Sequence, residues 1–155
     1  MRILLIAVGK AKPGPARALF EDYAQRLRPS LELIEVEERR PLPSSELKRR
    51  EGELLRAALA RRAGKPLAVA LDERGQSLDT AAFAKQLSRW RDSGAAELAF
   101  LIGGADGLDP ALCRASDFRL ALGPMTWPHL LVRGLIAEQL YRAQQILAGH
   151  PYHRV

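Results

Sequence analysis

The chain has one cysteine and three histidines, and no histidine precedes position 129. A lone thiol, Cys113, excludes an intramolecular disulfide and a cysteine-built zinc cluster. Its setting, "PALCRAS", places it on an apolar position of a short helix, where a buried, inert thiol is expected. Histidine chemistry near neutral pH is confined to His129, His150 and His153. No convincing set of metal ligands is present, so no metal is expected. Long apolar runs are also missing: nothing approaches the roughly 18 residues of a membrane span. "MRILLIAVGK" has the charge and apolar run of a leader, but no small-residue cleavage site follows, and a buried first strand explains it better. A cytoplasmic protein is expected, with no membrane partner.

What is abundant is arginine. The 24 basic residues outnumber 18 acidic ones, and 19 of them are Arg against 5 Lys. A forked guanidinium suits phosphate and stacks on bases, so the net charge of +6 favours a polyanionic partner such as nucleic acid. Abundant Ala and Arg together also fit a simple nucleotide-composition bias. At 155 residues, 47% apolar and 27% charged, the chain is expected to be one globular domain over 1–155.

Strand and helix patterns alternate along it. Residues 2–9, 66–72, 98–104 and 118–123 are short apolar runs expected as buried strands, and 31–38 alternates like a strand with one wet face. Helices are expected over 14–27, over 45–62 with Ser44 as N-cap, after Asp79 to Gly94, briefly from Asp109, and from about Pro128 to Ala148. Strands apolar on both faces, separated by helices, define an α/β fold: a mostly parallel sheet flanked by helices.

Ligands of open α/β sheets collect at the carboxyl ends of strands. Three loops there stand out: "LDERG" (71–75), "GGADG" (103–107) and "GPMTWP" (123–128). Gly103 and Gly104 permit close approach to the backbone, or simply a tight turn before the next helix. Neither a dinucleotide fingerprint nor a phosphate loop follows the first strand. A nucleotide-like ligand would therefore be recognised by backbone from three separate loops.

On the last helix Val132, Leu135, Ile136, Leu140, Ala143, Ile146 and Leu147 form a broad apolar stripe suited to a core or a dimer face. Glu138 and Arg142, at i and i+4, are either a solvated ion pair or an arginine aimed at a phosphate or base. His129 after Pro128 fits an ordinary first-turn residue. The terminal group Tyr152, His153 and Arg154 offers stacking, hydrogen bonding and phosphate pairing, the chemistry of base recognition.

Taken in order, "AVGK", "LDERG", "LIGGADGL", "MTWPHLLVR", "EQLYRAQQI" and "HPYHR" resemble the RlmH-type methyltransferases of the SPOUT class over the full length. That resemblance implies a SPOUT-type fold with a C-terminal trefoil knot, which no local pattern encodes. It implies a homodimer, and S-adenosylmethionine (S-adenosyl-L-methionine) as methyl donor at Leu71, Gly104, Gly123, Pro124, Met125, Thr126, Trp127 and Pro128. The implied reaction is methylation of N3 of a pseudouridine in helix 69 of 23S rRNA, on the assembled 70S ribosome. One departure is Pro124, where family members often carry a small polar or basic residue; without an N–H it can offer only its carbonyl.

The N3 proton lies between two carbonyls and leaves reluctantly at neutral pH, so transfer needs a proton acceptor or donors for the developing charge. The tail supplies candidates: His153 as base or relay, Tyr152 against the base, Arg142 and Arg154 on charge or backbone. A SPOUT enzyme with another RNA target, and a non-catalytic ribosome-associated protein that holds the cofactor, are the competing readings. The second would have no need of His153.

Overall fold

A computed structural model describes residues 1–150, so Tyr152, His153 and Arg154 lie outside the described residues. Five strands, β1 (Arg2–Val8), β2 (Glu32–Val36), β3 (Leu67–Ser77), β4 (Glu97–Ile102) and β5 (Phe118–Ala121), alternate with five helices. These are α1 (Pro15–Arg26), α2 (Ser44–Ala60), α3 (Thr80–Asp92), α4 (Pro110–Ala115) and α5 (His129–Leu147). The strand order is β2-β1-β4-β3-β5, and all four pairings are parallel.

Side chains of a strand alternate between faces, so an all-apolar strand must be covered on both sides. In β1, Ile3, Leu5 and Ala7 pack with Phe20, Phe83, Trp90, Ile136 and Leu140, from α1, α3 and α5. Leu4, Ile6 and Val8 face the other way, onto Leu55 and Ala58 of α2 and Leu112 of α4. Trp90 anchors the first core, standing edge-on to Phe118 at 5.4 Å and to Phe100 at 6.2 Å between ring centres. Where α1 crosses α5, a Cβ on Gly134 would lie 2.7 Å from the Leu19 side chain, so the close approach depends on that glycine.

Helix starts follow local chemistry in two cases. The Asp79 carboxylate accepts from the Ala82 N–H at 2.7 Å, and Asp109 accepts from the Ala111 N–H at 3.3 Å. The expected Ser44 cap is not made. Helix α2 already includes Ser44, and Pro43 holds the capping position with no side-chain hydrogen bond. Proline cannot enter a helix interior but fits its margin, and it moves the start by one residue.

Two charged sites are built into this frame. Glu97 is 1% exposed at the start of β4, yet Arg62 donates to it at 2.8 and 3.1 Å and Arg2 lies 2.7 Å away. Arg62 also reaches Glu32 on the neighbouring edge strand. Arg133, in the first turns of α5, is 1% exposed. Among the described residues no helix is long and apolar enough to cross a membrane.

Candidate cofactor cleft

The sequence places β3's end at residue 72, but the strand continues to Ser77. Pairing with β5 passes from Leu71 directly to Gln76, both opposite Leu120, so residues 72–75 bulge out of the ladder. Two contacts hold the bulge. The Arg119 guanidinium donates to Asp72 at 2.6 and 3.2 Å, and Gly75 lies so close to the β5 backbone that a Cβ there would meet Arg119 at 2.7 Å. The predicted loop "LDERG" is thus a strand bulge, and it still presents its residues at the carboxyl end of the sheet.

The "GGADG" segment is a tight turn closed by a Gly104–Gly107 bridge, with the Gly107 N–H on the Gly104 carbonyl at 3.0 Å. The tight-turn reading of the paired glycines is thus met, and the same turn lines a cleft. A Cβ on Gly103 would sit 2.5 Å from Gly107, and one on Gly104 would sit 2.9 Å from the Glu51 carboxylate oxygens. Glu51 comes from α2 and is buried. Burial, and then the neighbouring Asp106, push its carboxyl above the usual range, against the pull of the Gly104 backbone donor.

The third segment is tied to the first. The Trp127 indole N–H donates to the Leu122 carbonyl at 3.1 Å, and the Thr126 hydroxyl lies 3.2 Å from a Glu73 carboxylate oxygen on the bulge. Met125 and Trp127 nevertheless remain 68% and 40% exposed. Large apolar groups left at a cleft mouth are what a flat, partly apolar ligand would cover.

The three segments enclose one cleft of about 990 Å³. Its lining brings together Leu71, Gly104, Gly123, Met125, Thr126, Trp127 and Pro128, seven of the eight expected cofactor contacts. Pro124, the eighth, is exposed and outside the lining. Cys113 also lines the cleft; its thiol is buried, and burial, then Asp72, hold it above the usual thiol range.

His129 forms one corner of the cleft, half-buried at the first position of α5. Burial, then the Arg133 charge, hold its imidazole below the usual histidine range, which favours the neutral ring. Arg133 itself is a functional candidate missed in the sequence reading. It donates to Glu35 at 2.6 Å and to the Val8 and Gly9 carbonyls at 3.0 and 2.7 Å, while its buried Nε has no partner. No local pattern could have found this pair, since the partners come from opposite ends of the chain.

Arg142 is not brought to the cleft. It is paired with Glu138, its Nε at 2.8 Å, and Gln139 braces the other carboxylate oxygen at 2.7 Å. It lies thirteen positions after His129, about 20 Å along the helix. On the face between α1, α3 and α5 a second hollow of about 650 Å³ is lined by apolar groups including Leu19, Tyr23, Phe83 and Leu135. Among the described residues no group of acidic, histidine and cysteine side chains could hold a metal ion.

A parallel five-stranded sheet with a glycine-turn cleft at its carboxyl edge defines a class, and the sequence comparisons agree with it: the chain belongs to the SPOUT methyltransferase family, whose model, described as "Predicted SPOUT methyltransferase", matches residues 1–153. Within it, the chain is 60% identical over 154 residues to the ribosomal RNA large subunit methyltransferase H of Rhodospirillum centenum, covering 99% of each chain. It is 55% identical to the enzyme of the same name from Paramagnetospirillum magneticum, again over 99% of both. The fold is shared with a probable methyltransferase of Bordetella pertussis at a TM-score of 0.55 and 20% identity, over 92% of this chain and 95% of that one.

Proposed function

We propose that this protein methylates N3 of a pseudouridine in helix 69 of 23S rRNA, using S-adenosylmethionine, and acts on the assembled 70S ribosome as a homodimer. The observation that carries the reading is the convergence of three strand-end segments on one cleft. The cleft's volume falls at the upper end of the roughly 300–1,000 Å³ typical of small-molecule sites. Its lining also fits the donor: main-chain groups of 102–108 on one wall, and Leu71, Leu120, Leu122 and Val132 as apolar surface. Leu71, Gly104, Gly123 and the stretch from Met125 to Pro128 would hold the cofactor, while Pro124, outside the lining, has no N–H to offer it. Bound there, S-adenosylmethionine supplies an already activated methyl group.

The chain's own task is then to place the acceptor base, exclude water and take the N3 proton. His153 accepts or relays that proton, Tyr152 packs against the base, and Arg142 and Arg154 balance charge on the base carbonyls or the RNA backbone. The distance between Arg142 and the His129 corner of its own cleft supports a shared site, with the cleft of one subunit facing the tail of another. The apolar hollow beside α5 supports the same reading, because Leu135 and Tyr23 there are only half-buried and suit a protein partner. A trefoil knot formed by the cleft segments belongs to this reading as well.

Titration calorimetry with S-adenosylmethionine tests the cleft, and methyl transfer to ribosomes tests the reaction. His153→Ala is expected to bind the cofactor normally and to lose about 100-fold or more in turnover, the usual scale of a missing general base. An unchanged rate would remove His153 from the mechanism.

A further inference from the structure

The segment after β1, "GKAKPGP", is exposed except where it is deliberately fastened. The Gly9 N–H donates to the Val36 carbonyl at 2.8 Å, and the Ala11 N–H donates to Glu35 at 2.9 Å. Arg133 donates to the Gly9 carbonyl at 2.7 Å, to the Val8 carbonyl at 3.0 Å and to the same Glu35 oxygen at 2.6 Å. Gly9 takes φ +87°, a conformation most other residues avoid, so the turn is specified by sequence as well as by contacts. Burial pushes the Glu35 carboxyl up, but the Ala11 amide and Arg133 outweigh it and hold it below the usual range, so the pair is charged at neutral pH.

Burying an arginine, here against a half-buried carboxylate, is a poor way to stabilise a core, because apolar groups of similar volume do as well. What it can do is fix main-chain atoms. Here it fixes the backbone on which Lys10 and Lys12 stand, either side of Ala11 and both exposed. Many arginines of the chain are committed to intramolecular carboxylates; Lys10 and Lys12 have no such partner among the described residues. The loop also abuts the cleft: a Cβ on Gly9 would lie 3.6 Å from His129 Nε2, and His129 is the cleft's corner.

We propose that Lys10 and Lys12, on the loop pinned by Arg133 and Glu35, form a phosphate-contacting rim of the cleft that receives the RNA backbone flanking the target base. The inference rests on the function proposed above and adds to it a surface and its ligand chemistry. A base that enters the cleft carries its neighbouring phosphates with it, and lysine ammonium groups serve them as compact point charges. Rigid placement makes the contact a matter of register as well as of charge.

The test is the salt dependence of binding to 70S ribosomes by wild type, the K10A/K12A double variant and K65A. Lys65 is exposed before β3, at the opposite end of the sheet. Loss of two phosphate contacts should flatten the slope of log K against log[salt] by about 1.4 to 1.8. K10R/K12R should restore the slope, and K65A should keep it. Calorimetric affinity for S-adenosylmethionine and the thermal midpoint should stay at wild-type values in K10A/K12A. A wild-type slope in K10A/K12A overturns the rim alone, whereas wild-type protein with no salt-dependent ribosome binding overturns the function itself and the rim with it.

Discussion

Two buried carboxylates in this molecule respond to pH in opposite directions. Glu97 is held below its ordinary value of 4.5, first by the Arg62 hydrogen bonds, so its contribution is present above that value and disappears as pH falls through the lowered one. Glu97→Gln should therefore cost about 2 kcal/mol at pH 7, the scale of hydrogen bonds to a charged group, and the difference should vanish in acid. Glu51 is raised above 4.5, chiefly by burial, so its ionised form works against folding at neutral pH. Glu51→Gln should match or exceed wild-type stability at pH 7, with the gap closing as pH falls through the raised value and gone below 4.5. Urea midpoints measured across pH check both, and a less stable Glu51→Gln at pH 7 would contradict the second. Arg133→Ala should lower stability by about 2 kcal/mol, because two main-chain carbonyls and the half-buried Glu35 lose their charged donor. Neither Arg133 nor Glu51 is visible in the sequence as a special residue. Each looks like one more charge on an amphipathic helix, and only the packing of α2 and α5 against distant turns buries it.

At the level of elements, strands and helices were legible because their apolar spacing is strong and their stops are glycines, prolines and Asp caps. The bulge in β3 was not legible. "LDERG" has the composition of a turn, and it is kept in the sheet by Asp72 meeting Arg119, a partner 47 positions away. The cleft segments could be found beforehand because each directly follows a strand, and the sheet's carboxyl edge is where loops converge. Their roles in the fold were less visible: Gly103 makes room for Gly107, and Gly104 for Glu51. Gly103→Ala should thus distort the turn rather than fill the cleft, and should weaken S-adenosylmethionine binding by at least about tenfold, or 1.4 kcal/mol. Calorimetry on the folded variant checks this; wild-type affinity would mean that the turn contributes nothing to the cofactor site.

For the whole molecule, the tail that first draws attention to function is Tyr152, His153 and Arg154, and the cleft that accommodates the methyl donor's expected contacts is built from other parts of the chain. Arg142 on α5 is about 20 Å from the cleft's His129 corner by helix rise alone, and the proposed assembly of two chains would reconcile these positions. Local patterns carry no information about such an assembly, because a dimer face and a core stripe share one apolar spacing. The most direct measurement is transfer of labelled methyl from S-adenosylmethionine to 70S ribosomes, run beside isolated 23S rRNA, with the product mapped by nuclease digestion. The account predicts label on a pseudouridine of helix 69, at N3, with ribosomes as the far better substrate. Ribosomes left unlabelled by a protein that binds the cofactor, or label on a different RNA segment, would contradict it.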